Sequence, residues 1–275
     1  MQIINQHNIT LPKRKLDAHK GDNGSVAIIG GASTMLGAVV LASRAALFSG
    51  AGRVYASFLA DDAPGIDLIH PEIMLREPDG IELLDQLDCV VIGPGMGESP
   101  QAISLLGHWL FTSTPILLDA DALNLIAANQ GLSEQLSQRK HATIITPHPG
   151  EAARLLKISS KEVQQNRIES ALKLAQQYNA VCILKGHETI VAFQYQSFTN
   201  ASGNVGLASG GTGDVLSGII GSLVAQGLHV LDASKTGVYL HGAAADSLVA
   251  KGIGPIGLSA SEVALETRHI LNSMQ

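Results

Sequence analysis

SVAIIGGASTMLGAVVLASRAALFSGAGRVYASFL, residues 25–59, carries the first unit of a repeating pattern. SVAIIGG (25–31) is apolar throughout and ends in glycines, which predicts a strand buried on both faces. LGAVVLASRAALFSGAG (36–52) predicts an Ala-rich helix closed by Gly50 and Gly52, and RVYASFL (53–59) predicts a second strand. The same alternation continues downstream. Strands are expected at DCVVIG (88–93), PILLDA (115–120), ATIITP (142–147) and VCILKG (181–186). Helices are expected through Trp109, after Asp121, from Pro149 and over 160–178. ETIVAFQYQSFTN (188–200) reads as a hairpin. Helices follow over 210–227 and 234–252, and a last one from Ser259, where Glu262 completes a capping box. Buried strands alternating with helices predict an α/β fold, a three-layer αβα arrangement with a mostly parallel central sheet. No linker, low-complexity stretch or internal repeat divides residues 1–275, so one domain is expected, with a short leader over about residues 1–20.

Composition narrows the function classes. Of 275 residues, 45% are hydrophobic and only 15% charged, enough to bury a large core. A net charge of −6 argues against a general nucleic-acid binder, which would present a basic surface. Cys89 and Cys182 both lie in apolar runs and read as buried free thiols, compatible with a reducing compartment. MQIINQHNITLPKRK lacks the apolar core of a secretory signal, and no run is long enough to span a membrane. A cytoplasmic location is therefore expected.

In an open parallel sheet, ligands bind beyond the carboxyl ends of the strands. GGAST, GPGMG, DADALN, TPHPGE and KGHET all fall at such ends, and GGTGD opens a late helix. Within ASGGTGDVLSGIIGSL (208–223), Gly210, Gly211 and Gly213 strip side chains from the turn that starts this helix. Free backbone N–H groups and the positive end of the helix dipole then offer an anion hole. Asp214 lies in the first turn. It is either a helix cap or an acid that handles a proton beside a phosphate. No Lys-Ser/Thr pair follows these glycines, so the loop is not a Walker A motif. Lys185 ends a strand, where it either reaches a phosphate or points to solvent. His148 sits on a stiff Pro-His-Pro turn, as ligand or as structural residue. Asp119 and Asp121 either hold Mg2+ through water or cap the next helix. GGASTMLGA lacks the G-x-G-x-x-G spacing, which excludes an ordinary Rossmann dehydrogenase.

HKGDNGSVAIIGGASTMLGAVVLASRAALFSGAGRV (19–54), VIGPGMG (91–97), LLDADALN (117–124), TPHPGE (146–151), LKGHETIV (184–191) and NASGNVGLASGGTGDVLSGIIGSLVAQG (200–227) together resemble the ADP-dependent (S)-NAD(P)H-hydrate dehydratases. The resemblance runs in order from about residue 13 to 270. It implies a ribokinase-like fold and a metabolite-repair enzyme that restores NADH and NADPH from their 6-hydroxy hydrates, NADHX and NADPHX. It implies ADP as phosphoryl donor, with ATP possible, and Mg2+. By this resemblance Gly37, Ala38, Gly97 and His148 line the hydrate. Lys185, Gly186, His187, Glu188 and Thr189 form a loop around the nucleotide. Gly211, Thr212 and Gly213 form the anion hole, Gly213 contacts the phosphates, and Asp214 faces the substrate hydroxyl. A homotetramer and a separate NAD(P)H-hydrate epimerase are further expectations from the same source.

Two other readings use the same residues. A small-molecule kinase of this superfold, acting on a vitamin-precursor alcohol such as a thiazole or pyridoxal, would share the Gly-rich loop and the acid. A non-catalytic nucleotide-binding regulator would be expected to lack an acid at position 214, and Asp214 is present.

Overall fold

In the computed structural model of the chain, which describes residues 2–275, every residue of Ser25–Gly30 is buried. Val26 and Ile28 belong to one apolar cluster and Ala27 and Ile29 to another. This is the two-fold side-chain alternation of a strand with helices on both sides.

Among the described residues ten strands form one sheet: β1 (Gln2–Ile4), β2 (Ser25–Gly30), β3 (Arg53–Phe58), β4 (Met74–Leu75), β5 (Cys89–Ile92), β6 (Ile116–Leu118), β7 (Thr143–Ile145), β8 (Val181–Leu184), β9 (Ile190–Phe193) and β10 (Gln196–Asn200). Their spatial order is β1-β10-β9-β8-β7-β6-β5-β2-β3-β4. From β8 to β4 all neighbours are parallel. The expected hairpin is β9–β10, and β9 also pairs antiparallel with β8.

One helical layer holds α1 (Leu36–Phe48), then, later in the chain, the long C-terminal helices Thr212–Ala225, Val230–Ala250 and Ala260–Ser273. The other layer holds α2 (Pro78–Glu82), α3 (Pro100–Phe111), α4 (Asp121–Ala128), α5 (Gln130–Gln138), α6 (Pro149–Leu156), α7 (Ser160–Gln165) and α8 (Arg167–Gln177). The three C-terminal helices are α9, α10 and α11 in chain order. The three-layer expectation is met.

The differences in detail have local causes. The segment expected to be a leader supplies β1, which pairs parallel with β10 and buries Ile4 at the sheet edge. The helix expected over 160–178 is two helices, α7 and α8, broken at Asn166, whose φ of −131° and ψ of 49° are non-helical. α5 escapes a periodicity search because it buries only Leu132 and Leu136. Cys89 and Cys182 are buried free thiols, as expected, and burial pushes both thiol pKa values well above their usual range.

α9 lies unusually close to α1. A Cβ added to Gly218 would stand 2.0 Å from the Ala42 carbonyl oxygen, a backbone atom that has no rotamer to yield. Gly218→Ala is therefore expected to lower stability by about 1–3 kcal/mol through overpacking. A drop of several degrees in the thermal denaturation midpoint checks this; an unchanged midpoint would contradict the close approach.

Candidate active site

The chain runs from β2 outward to β3 and β4, then returns to place β5 on the other side of β2. Adjacent loops part at such a reversal and leave a crevice at the carboxyl edge. Backbone bonds tie the two loops at its floor: Gly31 N–H donates to Pro94 O at 2.9 Å and Ala32 N–H to Gly95 O at 2.7 Å. Ala38, at the start of α1, packs toward the Gly95 turn, and Gly97 faces Ala32. Of the residues expected to line the hydrate from these two loops, Ala38 and Gly97 both border this floor, and Gly37, which precedes Ala38, faces open space. Gly97 N–H donates to Asp121 Oδ2 at 2.8 Å, which ties the β5 loop to the first residue of α4.

Further along the same edge lies a chain of buried charge. Asp119 follows β6 and is 1% exposed. Its Oδ1 accepts from Lys185 Nζ at 2.6 Å and from Ala120 N–H at 2.9 Å; its Oδ2 accepts from Ser217 Oγ–H at 2.7 Å. Lys185 leaves the end of β8 and its Nζ also lies 4.0 Å from Glu151 Oε2. Glu151 is buried in the first turn of α6. Burial by itself would lower the Lys185 pKa, but Asp119 and Glu151, with Asp214 beyond them, raise it above its usual value. Lys185 is accordingly a held ammonium and not a solvated strand-end lysine.

His148 is the N-cap of α6. Its Nδ1 accepts from Gly150 N–H at 2.9 Å, and its Nε2 lies 3.1 Å from Glu151 Oε1. Its own backbone N–H donates to Glu151 Oε2 at 2.7 Å, so the expected stiff turn is a capping box. The imidazole is half exposed at the mouth of the site.

The glycine turn faces this network. Gly211 has φ +86°, a left-handed conformation that the turn requires, and a side chain there would collide with Leu41 at 2.4 Å. A Cβ on Gly213 would sit 3.5 Å from Lys185 Nζ, so the bare N-terminus of α9 opens directly toward the ammonium. Thr212 turns its hydroxyl away, to Leu207 O at 2.8 Å and Ser209 O at 2.9 Å. What Thr212 offers an anion is its backbone N–H. Two positions on, burial, helped by Asp119 and Asp121 and opposed by Lys185, pushes the Asp214 carboxyl up to about 7. A carboxyl in that range is suited to taking a proton at neutral pH.

The β8–β9 loop borders the same end. Gly186 has φ +133° and Glu188 φ +54°, and Thr189 Oγ–H donates to Gly186 O at 3.0 Å. The His187 and Glu188 residues are exposed, so what the loop turns toward a ligand is mainly backbone.

Asp119 and Asp121 do not form an ion-binding pair. Lys185 already neutralises Asp119, Asp121 is engaged by Gly97 and Asn124, and among the described residues no group of three or more His, Cys, Asp or Glu side chains is placed to hold a metal. The side chains therefore do not fit a protein-held Mg2+.

Three participants were not legible as such. Ser217, three residues after Asp214 in the glycine-rich segment, is a buried polar residue of α9 that anchors Asp119. His241 lies in an apolar stretch of α10, is buried with Nε2 unpartnered among the described residues, and is lowered to about 4 by burial. The backbone of Thr212 opposes that shift and Lys185 adds to it, so this imidazole is neutral near pH 7 and senses both the glycine turn and the ammonium. The third, Arg167, donates to the Leu184 and Lys185 carbonyls at the end of β8.

The family model described as NAD(P)H-hydrate dehydratase matches residues 26–264. The chain belongs to the NAD(P)H-hydrate dehydratase family. It is 41% identical over 263 residues to the ADP-dependent (S)-NAD(P)H-hydrate dehydratase of Neisseria meningitidis, covering 94% of this chain and 88% of that one. Among solved structures, the ADP/ATP-dependent NAD(P)H-hydrate dehydratase of Bacillus subtilis, co-crystallised with ATP and Mg2+, superposes with a TM-score of 0.88 at 29% identity, covering 100% of this chain and 99% of that one. A ribokinase-like superfamily protein of Enterococcus faecalis gives a TM-score of 0.85 at 25% identity over 99% of this chain and 96% of the other, in keeping with the ribokinase-like expectation. The chain spans about half the length of the bifunctional NAD(P)H-hydrate repair enzymes that it also matches, from Coxiella burnetii and Escherichia coli. No helix among the described residues is long and apolar enough to cross a membrane.

Proposed function

We propose that this member of the family dehydrates the (S)-hydrates of NADH and NADPH with ADP as phosphoryl donor, releasing AMP and phosphate. The observation that carries the reading is the juxtaposition of three groups: the open amide end of α9 at Gly213, the Lys185 ammonium and the Asp214 carboxyl held near neutrality. Hydroxide is a poor leaving group from C6 of the hydrated ring. Asp214 removes the C6 hydroxyl proton while that oxygen attacks the β-phosphorus of ADP, and the bond from phosphorus to the AMP oxygen breaks. The amides of Gly211, Thr212 and Gly213, with Lys185, stabilise charge on the moving phosphoryl group. The ring nitrogen then donates its lone pair, the C6–O bond breaks with phosphate leaving, and loss of the C5 proton restores the dihydropyridine. Gly37, Ala38, Gly97 and His148 form the wall for the hydrate, and the 185–189 backbone borders the nucleotide. Mg2+ would arrive on the nucleotide's own phosphates and water, as this cation prefers, and would neutralise phosphate charge. The hydrate epimers would be interconverted by an epimerase activity, which the bifunctional relatives' repair function suggests.

The test is recovery of reduced-nicotinamide absorbance from each hydrate with ADP and ATP side by side. No recovery with either, together with phosphorylation of a thiazole or pyridoxal alcohol, would replace this reading by the kinase one. The Asp214 pKa adds a second expectation. The base must be ionised, so kcat/KM, which reports the free protein, should rise with pH through a limb near 7 and level off above it. A flat kcat/KM profile between about pH 5 and about pH 8 would remove Asp214 as the titrating base.

A further inference from the structure

Arg167 is the first residue of α8, where a cation opposes the helix dipole. It is half-buried, and among the described residues it has no carboxylate at ion-pair distance; Glu188 attracts it from further away. A local choice this unfavourable calls for a compensating role. Its guanidinium lies against the end of β8. Nη2 donates to Leu184 O at 3.3 Å and to Lys185 O at 3.5 Å, Nη1 donates to Lys185 O at 3.4 Å, and Gln164 Oε1 accepts from Nη1 at 3.2 Å. Gly186 presents its bare Cα to the same group, since a Cβ there would meet Nη1 at 3.0 Å and Nη2 at 3.3 Å. The break at Asn166 that divides the expected helix is what directs Arg167 toward the sheet. Arg167 and Glu188, the latter at the loop tip, both border a cavity of about 550 Å3 between α7–α8 and the β9–β10 hairpin.

We propose that Arg167 is a positioning residue: by holding the Leu184 and Lys185 carbonyls from behind, it fixes the departure of the 185–189 segment and so keeps the Lys185 ammonium opposite Gly213. This rests on the assignment of that segment to the nucleotide under Proposed function. Arg167 meets the strand end at the Leu184 and Lys185 carbonyls, whereas Asp119 meets Lys185 at Nζ, so Arg167 acts only through the backbone it holds.

The experiment measures ADP affinity by calorimetry, kcat and KM for the hydrate, and the thermal midpoint, for R167M, R167K, K185M and the double variant. Charged hydrogen bonds of this kind predict that R167M weakens ADP binding about tenfold at a temperature where the variant is folded. R167K, still able to donate to one carbonyl, should recover part of the loss. Since the effect passes through Lys185, adding R167M to K185M should cost little more affinity than K185M alone. If R167M does not fold, R167Q is read in the same way. Native ADP affinity in R167M with only a lowered midpoint would overturn the proposal, as would a loss that adds in full to that of K185M. A different result, K185M binding ADP and turning over like the native protein, would overturn the site assignment itself.

Discussion

Asp214→Asn is expected to bind ADP within a few-fold of the native protein yet to lose about 10²–10⁴-fold in turnover, the usual worth of a positioned general base. Asn has the size of Asp and keeps the first turn of α9 intact, so the amide hole for phosphate survives while the proton acceptor does not. Calorimetry with ADP and initial rates of NADH recovery separate the two. The same variant makes a stability prediction of opposite sign. The folded-state carboxyl is raised from 3.8 to about 7, so between those values the folded protein binds more protons than the unfolded chain. Stability from this group is therefore present below about pH 4 and is progressively lost as pH rises toward 7. Asn never ionises, so Asp214→Asn should melt higher than the native protein at pH 8 and close to it at pH 4. A variant that is both inactive and less stable at pH 8 would indicate a structural acid in place of a catalytic one.

Lys185→Met is expected to be the most damaging substitution of a side chain that faces the anion hole. It leaves Asp119 and Glu151 without their cation, and breaking a buried ion pair from one side costs about 3–5 kcal/mol. It also removes the charge that holds the Asp214 pKa down. Any residual activity should therefore need a higher pH, with the acid limb displaced upward. Asp119→Asn should act in the opposite direction on that limb, because Asp119 is a carboxylate whose repulsion raises the Asp214 pKa. Opposite displacements of the pH–rate profile in the two variants would tie Lys185, Asp119 and Asp214 into one electrostatic unit. Displacements of the same sign would break that unit apart.

What the chain shows of itself before folding is uneven, for physical reasons. The parallel strands are legible because burial on both faces leaves uninterrupted apolar runs such as SVAIIG and CVVI, and their glycine-rich ends mark the ligand edge. Asp214, Gly213 and Lys185 were identifiable as candidates because glycine turns and strand-end lysines depart from what packing alone demands. Whether Asp119 met a metal or a lysine was not legible, since Asp119 and Lys185 are 66 positions apart in sequence and meet only because β7 alone separates β6 from β8 in space. Ser217 was hidden for a related reason: a small polar residue on a Gly-containing apolar helix carries no periodic signal, and its partner Asp119 comes from another element. His241 was hidden because a single histidine in an apolar helical run reads as ordinary helix filling. Arg167 was hidden by the reading of one helix across 160–178, because the break at Asn166 has no proline or glycine to announce it. The β1 strand was missed because three residues with a single buried side chain are too short for a pattern to register.

The backbone contact at Gly218 has a mechanical meaning. α1 begins at the crevice wall assigned to the hydrate, and α9 begins at the amide hole assigned to the phosphate. Only the bare Gly218 fits against the Ala42 carbonyl, so sliding one helix along the other would drive a side chain of α9 into the main chain of α1. Acceptor and donor seats are in this way mounted on one stiff beam, and the spacing between alcohol and phosphorus is set when the protein folds, before either ligand arrives.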